Sequence, residues 1–177
     1  MKRFAAVFVA IVAMSWVPAL AADSALSVDA NAAYLAAYAK KPRVVVRPDG
    51  LMFKIIQNGY GKRPADTDTV VVYYTGELIN GEEFDGTEPG LPTSFQVNGL
   101  IAGWSEALKL MREGDHWQIV IPATLGYGAR GAGDGTIPPN QTLVFDLRLL
   151  KTVPAPKRGE KGYIPDPNDK DEDEDQQ

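Results

Sequence analysis

The sequence predicts an α+β domain, in which an antiparallel β-sheet packs over one short α-helix. Several segments are rich in β-branched residues or alternate apolar and polar residues, as half-buried strands do. Signals for turns, built from Gly, Pro and Asn, separate these segments. Between residues 44 and 152, only one segment spaces its apolar residues as a helix does. Many strands with a single helix to cover them favour the α+β class over a parallel sheet.

The predicted strands begin at residue 44, where the composition changes from alanine-rich to β-branched. A turn signal at residues 48–50 ends the first strand, and Asn80 and Gly81 form a dipeptide typical of a tight hairpin. Phe95 and Val97 alternate with polar neighbours and indicate another strand. The other strands are predicted at residues 44–46, 51–57, 70–75, 117–121 and 143–150.

The single helix of this region is predicted from four apolar residues. Trp104, Ala107, Leu108 and Met111 occupy positions i, i+3, i+4 and i+7, which lie on one helix face. Gly114 follows as a stop signal. The helix therefore has one apolar face that must be buried against the sheet.

Residues 1–22 are typical of a secretory signal peptide. Lys2 and Arg3 form a positive start, residues 4–17 are apolar or small, and residues 19–21 have the small–x–small pattern of a cleavage site. The alternative is an uncleaved membrane anchor, because the apolar stretch is just long enough to span a bilayer. We expect cleavage and export, to the periplasm if the source is bacterial, with no stable membrane insertion of the mature chain.

Residues 23–43 are predicted to form a short helical arm or linker. Asp29 can cap an alanine-rich run that ends at Lys40, Lys41 and Pro42. Alanine favours helix formation, but its small side chain buries little apolar surface. We expect this segment to dock on the domain or link to it, and the alternative is a helix that mediates dimerisation.

Residues 153–177 form an acidic, proline-containing tail that we expect to be disordered. From Asp166 onward the tail holds seven acidic residues and one Lys, a net charge of −6. Such a segment buries no apolar surface and repels itself. The alternative is weak binding of a cation or of a basic partner.

The composition excludes several classes of function. The whole chain has a net charge of −5, and leaving out Lys2, Arg3 and the −6 tail leaves −1, so no large basic face for nucleic acid is expected. The absence of cysteine excludes disulfides, thiolate metal sites and a cysteine nucleophile. His116 is the only histidine, which excludes a multi-histidine metal site, and we expect it to be structural or exposed. No metal and no cofactor are expected.

Residues 126–131 match the G-x-G-x-x-G pattern of dinucleotide-binding loops. That loop must be followed at once by a helix, whose N-terminal amides hold the phosphate. Here the glycine-rich sequence continues to Pro138 and Pro139, which is incompatible with such a helix. We therefore expect a long surface loop, of a kind that often carries function in small domains.

Five short motifs occur in order across the predicted domain and identify a family resemblance. They are Tyr74-Thr75-Gly76, Asn80-Gly81-x-x-Phe84-Asp85, Ile101-x-Gly103-Trp104, Leu125-Gly126-Tyr127-Gly128 and Ile137-Pro138-Pro139-Asn140-x-Thr142-Leu143-Val144-Phe145. Because these motifs occur in this order, residues 44–152 resemble the FK506-binding-protein (FKBP) type of peptidyl-prolyl cis–trans isomerase. The resemblance implies a twisted antiparallel β-sheet wrapped around the helix near Gly103, with a shallow apolar pocket between the two.

The resemblance also implies which residues form the site. As catalytic residues it implies Tyr74, Phe84, Asp85, Trp104, Tyr127 and Phe145. As substrate-binding residues it implies Phe95, Val97, Leu100, Ile101 and Ile137. In this reading the Ile101 amide and the Tyr127 hydroxyl bind substrate carbonyls, and Asp85 either orients Tyr74 or polarises the surroundings of the twisted carbonyl. Aromatic residues are usually core residues, so the ordered set of motifs supports these roles more than any single member does.

The function implied by the resemblance is acceleration of X–Pro bond rotation during the folding of exported proteins. Its partners would be proline-containing polypeptides and macrolides of the FK506 and rapamycin type. The alternative is a non-catalytic chaperone, a holdase, that binds peptides in the same groove. Ala102 before Gly103, and a loop at residues 131–136 one residue longer than the common form, depart from the family pattern. The loop change bears on substrate preference and macrolide affinity more than on the basic activity.

Overall fold

The structure is a computed structural model that describes residues 25–156 and 160–161. The predicted signal peptide, and the predicted tail apart from residues 153–156 and 160–161, lie outside the described residues. No helix in the described part of the chain is long and apolar enough to cross a membrane.

The described residues form two α-helices and seven β-strands, as the α+β prediction requires. The helices are α1 (Val28–Tyr38) and α2 (Ala102–Leu110). The strands are β1 (Val45–Val46), β2 (Met52–Gln57), β3 (Thr69–Leu78), β4 (Glu83–Gly86), β5 (Thr93–Gln96), β6 (His116–Ile121) and β7 (Leu143–Val153). Short 3₁₀ turns follow β5 and occur in the long loop between β6 and β7.

The seven strands form one antiparallel sheet. Their order is β1-β2-β6-β7-β3-β4, and β5 pairs with β3 outside that path. The longest ladder joins β3 to β7, from the Thr69–Val153 pair to the Leu78–Leu143 pair. The prediction that Val97 continues a strand is wrong, because β5 ends at Gln96 and Val97 begins a 3₁₀ turn.

Helix α2 lies against one face of the sheet and buries the apolar face that the sequence predicts. Trp104, Ala107 and Leu108 of this helix join the inward-facing residues of the strands in the main core. Gly103 allows close approach to β6, because a Cβ atom there would lie 2.6 Å from Cγ2 of Ile121. The first turn of α2 is therefore held next to the sheet, which fixes the position of Trp104.

Helix α1 packs on the opposite face of the same sheet. Tyr38 is buried there with Met52, Val120 and Val144, whose side chains alternate with those of the main core along their strands. The helix is capped by Ser27, whose hydroxyl accepts the N–H of Ala30 at 3.1 Å. The expectation that Asp29 caps this helix is wrong, since Asp29 lies in the first turn.

Candidate active site

A cavity of about 230 Å³ opens between helix α2 and the inner face of the sheet. Strands β3, β4, β5 and β7 supply its aromatic walls, and the start of α2 and the β6–β7 loop close it. It is lined by Tyr74, Phe84, Asp85, Phe95, Gly99, Leu100, Ile101, Trp104, Tyr127 and Phe145. All but two of these residues are apolar or aromatic, and Asp85 is the only one with a formal charge.

The indole of Trp104 is the centre of the aromatic cluster. Its ring centroid lies 5.1 Å from Tyr74, 5.3 Å from Phe145 and 5.9 Å from Phe95, each in an edge-to-face arrangement. Edge-to-face pairs of this kind each contribute about 0.5–1.5 kcal/mol beyond the area that they bury. These contacts join helix α2 to three strands and give the cavity an apolar floor.

A second edge-to-face pair, Phe84 with Phe145, depends on a glycine in β3. The ring centroids lie 5.6 Å apart at an interplanar angle of 89°. A Cβ atom at Gly76 would lie 2.7 Å from Cε1 of Phe145 and 2.8 Å from Cε2 of Phe84. Glycine at this position therefore lets both rings lie close to the backbone of β3 and form one wall.

The Asp85 carboxylate, at the edge of the cavity, accepts two hydrogen bonds. The Tyr74 hydroxyl donates to Oδ2 of Asp85 at 2.6 Å, and the Gly86 N–H donates to Oδ1 at 2.9 Å. Burial raises the pKa of Tyr74 well above its ordinary value, and the hydrogen bond to Asp85 and its charge add to the shift. Burial, followed by the charge of Asp85, also raises the pKa of Tyr127. Both phenols therefore remain protonated donors at neutral pH.

Two polar hydrogens at the cavity are available to a ligand. The carbonyl of Ile101 accepts the N–H groups of Trp104 and Ser105 at the start of α2, but the Ile101 N–H donates to no residue in the described ranges. The Tyr127 hydroxyl likewise has no hydrogen-bond partner among the described residues, and the side chain is 40% exposed. Two donors beside an apolar floor suit a ligand that is apolar in the middle and carries carbonyl groups on both sides.

Nine of the eleven predicted site residues line the cavity, and Val97 and Ile137 do not. Val97 is fully buried in the main core, since the 3₁₀ turn after β5 directs it inward. Ile137 is buried within the β6–β7 loop, where its backbone pairs with that of Ala132 through hydrogen bonds of 2.9 and 3.0 Å. Gly99 lines the cavity but was not predicted, because a residue that contributes only backbone has no side-chain pattern to find.

The described residues contain no group of three or more His, Asp or Glu side chains able to hold a metal ion. His116 lies on β6, where its Nε2 is 2.7 Å from Oδ1 of Asp146 on the neighbouring strand β7. Neither of these two residues lines the cavity. What the cavity offers a ligand is therefore apolar surface, two hydrogen-bond donors and one carboxylate.

Comparison with known proteins identifies the family. Residues 61–150, half of the chain, match the family described as FKBP-type peptidyl-prolyl cis-trans isomerase. The chain belongs to this family. It is 49% identical over 124 residues to the outer membrane protein MIP of Legionella longbeachae, and the aligned region covers 70% of this chain and 53% of that protein. It is 46% identical over 129 residues to FkpA of Escherichia coli K12, which covers 72% of this chain and 47% of FkpA. The chain thus matches about half the length of these curated relatives.

Solved structures of the FKBP family confirm the predicted fold. The crystal structure of FkpA from Escherichia coli matches with a TM-score of 0.69 at 43% identity, over 72% of this chain and 60% of that chain. A peptidyl-prolyl cis-trans isomerase from Pseudomonas syringae matches with a TM-score of 0.67 at 34% identity, over 77% of this chain and 97% of that chain. The FKBP arrangement of one sheet around one helix therefore holds for this chain.

Asp85→Asn is expected to lower the pKa of Tyr74, while burial keeps it above the ordinary tyrosine value. The substitution removes the negative charge that disfavours the phenolate. The stability that protonated Tyr74 contributes is complete below the unfolded-state pKa and is lost as the pH rises through the folded-state pKa, so the variant loses it at a lower pH. NMR titration of the tyrosine Cζ resonances measures both proteins. Asp134→Asn, outside the cavity lining, is the control, and an unchanged Tyr74 pKa in Asp85→Asn would contradict this electrostatic coupling.

Proposed function

We propose that this protein catalyses the cis–trans isomerisation of X–Pro bonds in proline-containing polypeptides. The observation that carries the proposal is the aromatic cavity with Trp104 at its floor, in a chain that belongs to the FKBP family. The floor and walls suit a prolyl ring. The Ile101 N–H and the Tyr127 hydroxyl suit the peptide carbonyls on either side of it.

The reaction needs no bond to be made or broken, which matches the residues present. Rotation about the X–Pro bond must break partial double-bond character, with a barrier of about 18–20 kcal/mol. The planar amide is stabilised by charge separation, which water favours, whereas the twisted amide has lost that resonance and is less polar at its carbonyl. An apolar cavity therefore binds the twisted form more tightly than the planar form, and only such differential binding accelerates the step. Each 1.36 kcal/mol of preference gives about a tenfold higher rate.

The residues of the cavity then divide into three roles. Trp104 forms the floor beneath the prolyl ring, with Tyr74, Phe84, Phe95 and Phe145 as walls and Leu100 and Ile101 beside it. The Ile101 N–H and the Tyr127 hydroxyl bind substrate carbonyls. Asp85 orients Tyr74, a role that the 2.6 Å hydrogen bond between them supports.

We also propose that the protein acts after export. The signal-peptide pattern of residues 1–22 supports this, as does similarity to a relative named an outer membrane protein. N-terminal sequencing of the protein recovered from its compartment is expected to begin beyond the small–x–small pattern at residues 19–21. Recovery of a chain that retains Met1 would contradict cleavage and favour the membrane-anchor alternative.

Phe84→Ala is expected to reduce kcat/KM for an X–Pro peptide by about ten- to hundredfold, because it removes one aromatic wall of the cavity. Apolar contact with a Phe side chain contributes about 1.5–3 kcal/mol. A protease-coupled isomerisation assay measures this, and circular dichroism checks that the variant remains folded. Tyr60→Ala is the matched control, since Tyr60 is 92% exposed and does not line the cavity. Turnover that is equal in wild type and Phe84→Ala would contradict the proposed site.

The same assay separates the isomerase from the holdase alternative. A holdase would suppress the aggregation of an unfolded client while showing no isomerisation in the wild-type protein. Competition by FK506 or rapamycin, the macrolides implied by the family resemblance, would place inhibitor and peptide in one cavity. Suppressed aggregation without any turnover would favour the holdase.

A further inference from the structure

Two buried amide side chains join helix α1 to the segment that leads into β7. Asn31 and Gln141 are each only 4% exposed, and the Nδ2 group of Asn31 donates to Oε1 of Gln141 at 3.1 Å. The same Nδ2 lies 3.2 Å from the carbonyl of Leu26 and 3.0 Å from that of Ser27. Oδ1 of Asn31 accepts the N–H of Thr142 at 2.7 Å. The Asn31 side chain therefore bonds both to the residues that precede its own helix and to the segment just before β7.

Gln141 completes this polar connection from the other side. Its Nε2 group donates to the carbonyls of Leu26 at 3.0 Å and Pro139 at 2.9 Å. The side-chain NH₂ groups of Asn31 and Gln141 are surrounded by oxygen atoms that can only accept hydrogen bonds. The network therefore specifies the orientation of each amide. Because a buried polar group left without its partner is costly, separating the loop from the helix is unfavourable.

The segment that Asn31 and Gln141 hold continues to the active site. Asn140, which lies beside Gln141, donates its N–H to the carbonyl of Gly128 at 2.8 Å. Gly128 directly follows Tyr127 and starts the 3₁₀ turn Gly128–Arg130. A continuous series of hydrogen bonds and peptide links thus runs from helix α1, through residues 139–142, to Tyr127, whose side chain lines the cavity.

We propose that Asn31 and Gln141 are positioning residues, which hold Tyr127 at the cavity by fixing the β6–β7 loop to helix α1. The inference rests on the proposed isomerase function, in which the Tyr127 hydroxyl binds a substrate carbonyl. Helix α1 lies outside the family match at residues 61–150, so this helix adds a support for the active site from beyond the matched segment.

The length of the β6–β7 loop explains why such a support matters. The loop spans residues 122–142, and Gly128, Gly131, Asp134 and Asn140 all have positive φ angles, so its path depends on irregular backbone. Misplacing a substrate-contacting group by about 1 Å can cost as much as a hundredfold in rate. The amide pair opposes such displacement, because moving the loop would leave buried groups of both residues unpaired.

Isomerisation assays on the full chain test the inference. Asn31→Ala and Gln141→Ala are each expected to lower kcat/KM by at least about threefold. Asn31→Asp keeps the volume but places a carboxylate oxygen against three acceptor oxygens, and its loss should be at least as large. In a Tyr127→Phe background, Asn31→Ala should add little further loss, because the hydroxyl through which it acts is already gone. A role in folding alone would lower activity equally in both backgrounds.

Tyr38→Phe is the matched control. It removes another hydrogen bond of the same helix, from the Tyr38 hydroxyl to Gln118 Oε1 at 2.9 Å, which leads to β6 and not to the loop. This variant is expected to keep wild-type kcat/KM. Hydrogen exchange of the Asn140 amide gives a readout independent of turnover, and it should become faster in Asn31→Ala and Gln141→Ala but not in Tyr38→Phe.

The outcomes separate this inference from the proposed function. The positioning role is overturned if the wild-type protein is active and Gln141→Ala changes neither kcat/KM nor the exchange rate of the Asn140 amide. This holds even if Asn31→Ala fails to fold. Losses that multiply with that of Tyr127→Phe would also overturn it. An inactive wild-type protein would refute the proposed function, and with it the role in catalysis, while Asn140 exchange would still decide whether the amides hold the loop.

Discussion

The edge-to-face contacts of the Trp104 indole are the interaction on which the site depends. The rings of Tyr74, Phe95 and Phe145 meet the indole from three strands, so this side chain joins the start of helix α2 to the sheet, with Ala107 and Leu108 buried behind it. The same four rings line the cavity. Its apolar floor is therefore made of residues whose contacts with one another also stabilise the core.

Glycines make this arrangement possible at two points. Gly103 lets the first turn of α2 approach Ile121, and Gly76 lets the Phe84 and Phe145 rings lie against β3. A side chain at either position would move an aromatic wall or the floor. The site is thus shaped by backbone that approaches closely as much as by the aromatic side chains themselves. The Ile101 N–H and the Tyr127 hydroxyl are donors at this cavity without a partner among the described residues, and in the proposed function they bind the peptide carbonyls.

The strands and the central helix could be predicted because their periodicity reflects burial on one face. Trp104, Ala107 and Leu108 needed only the 3.6-residue spacing, and the cavity residues needed the order of the family motifs. Val97 and Ile137 lie outside the cavity lining because a 3₁₀ turn after β5 and a backbone pair in the loop decide where these side chains point. Ser27 caps α1 ahead of Asp29 through the local backbone path, and the link from Asn31 to Gln141 joins residues 110 positions apart, which no local pattern reveals.

The central claim is that the cavity accelerates rotation by binding the twisted amide, with no proton transferred to or from a protein group. The most direct measurement is kcat/KM for an X–Pro peptide from pH 6 to 9, in water and in deuterium oxide, with the protein shown to be folded throughout. Catalysis by the apolar cavity predicts a flat pH profile and a solvent isotope effect of about 1, since general acid–base catalysis is absent. A bell-shaped profile with an isotope effect of about 2 or more would contradict the account.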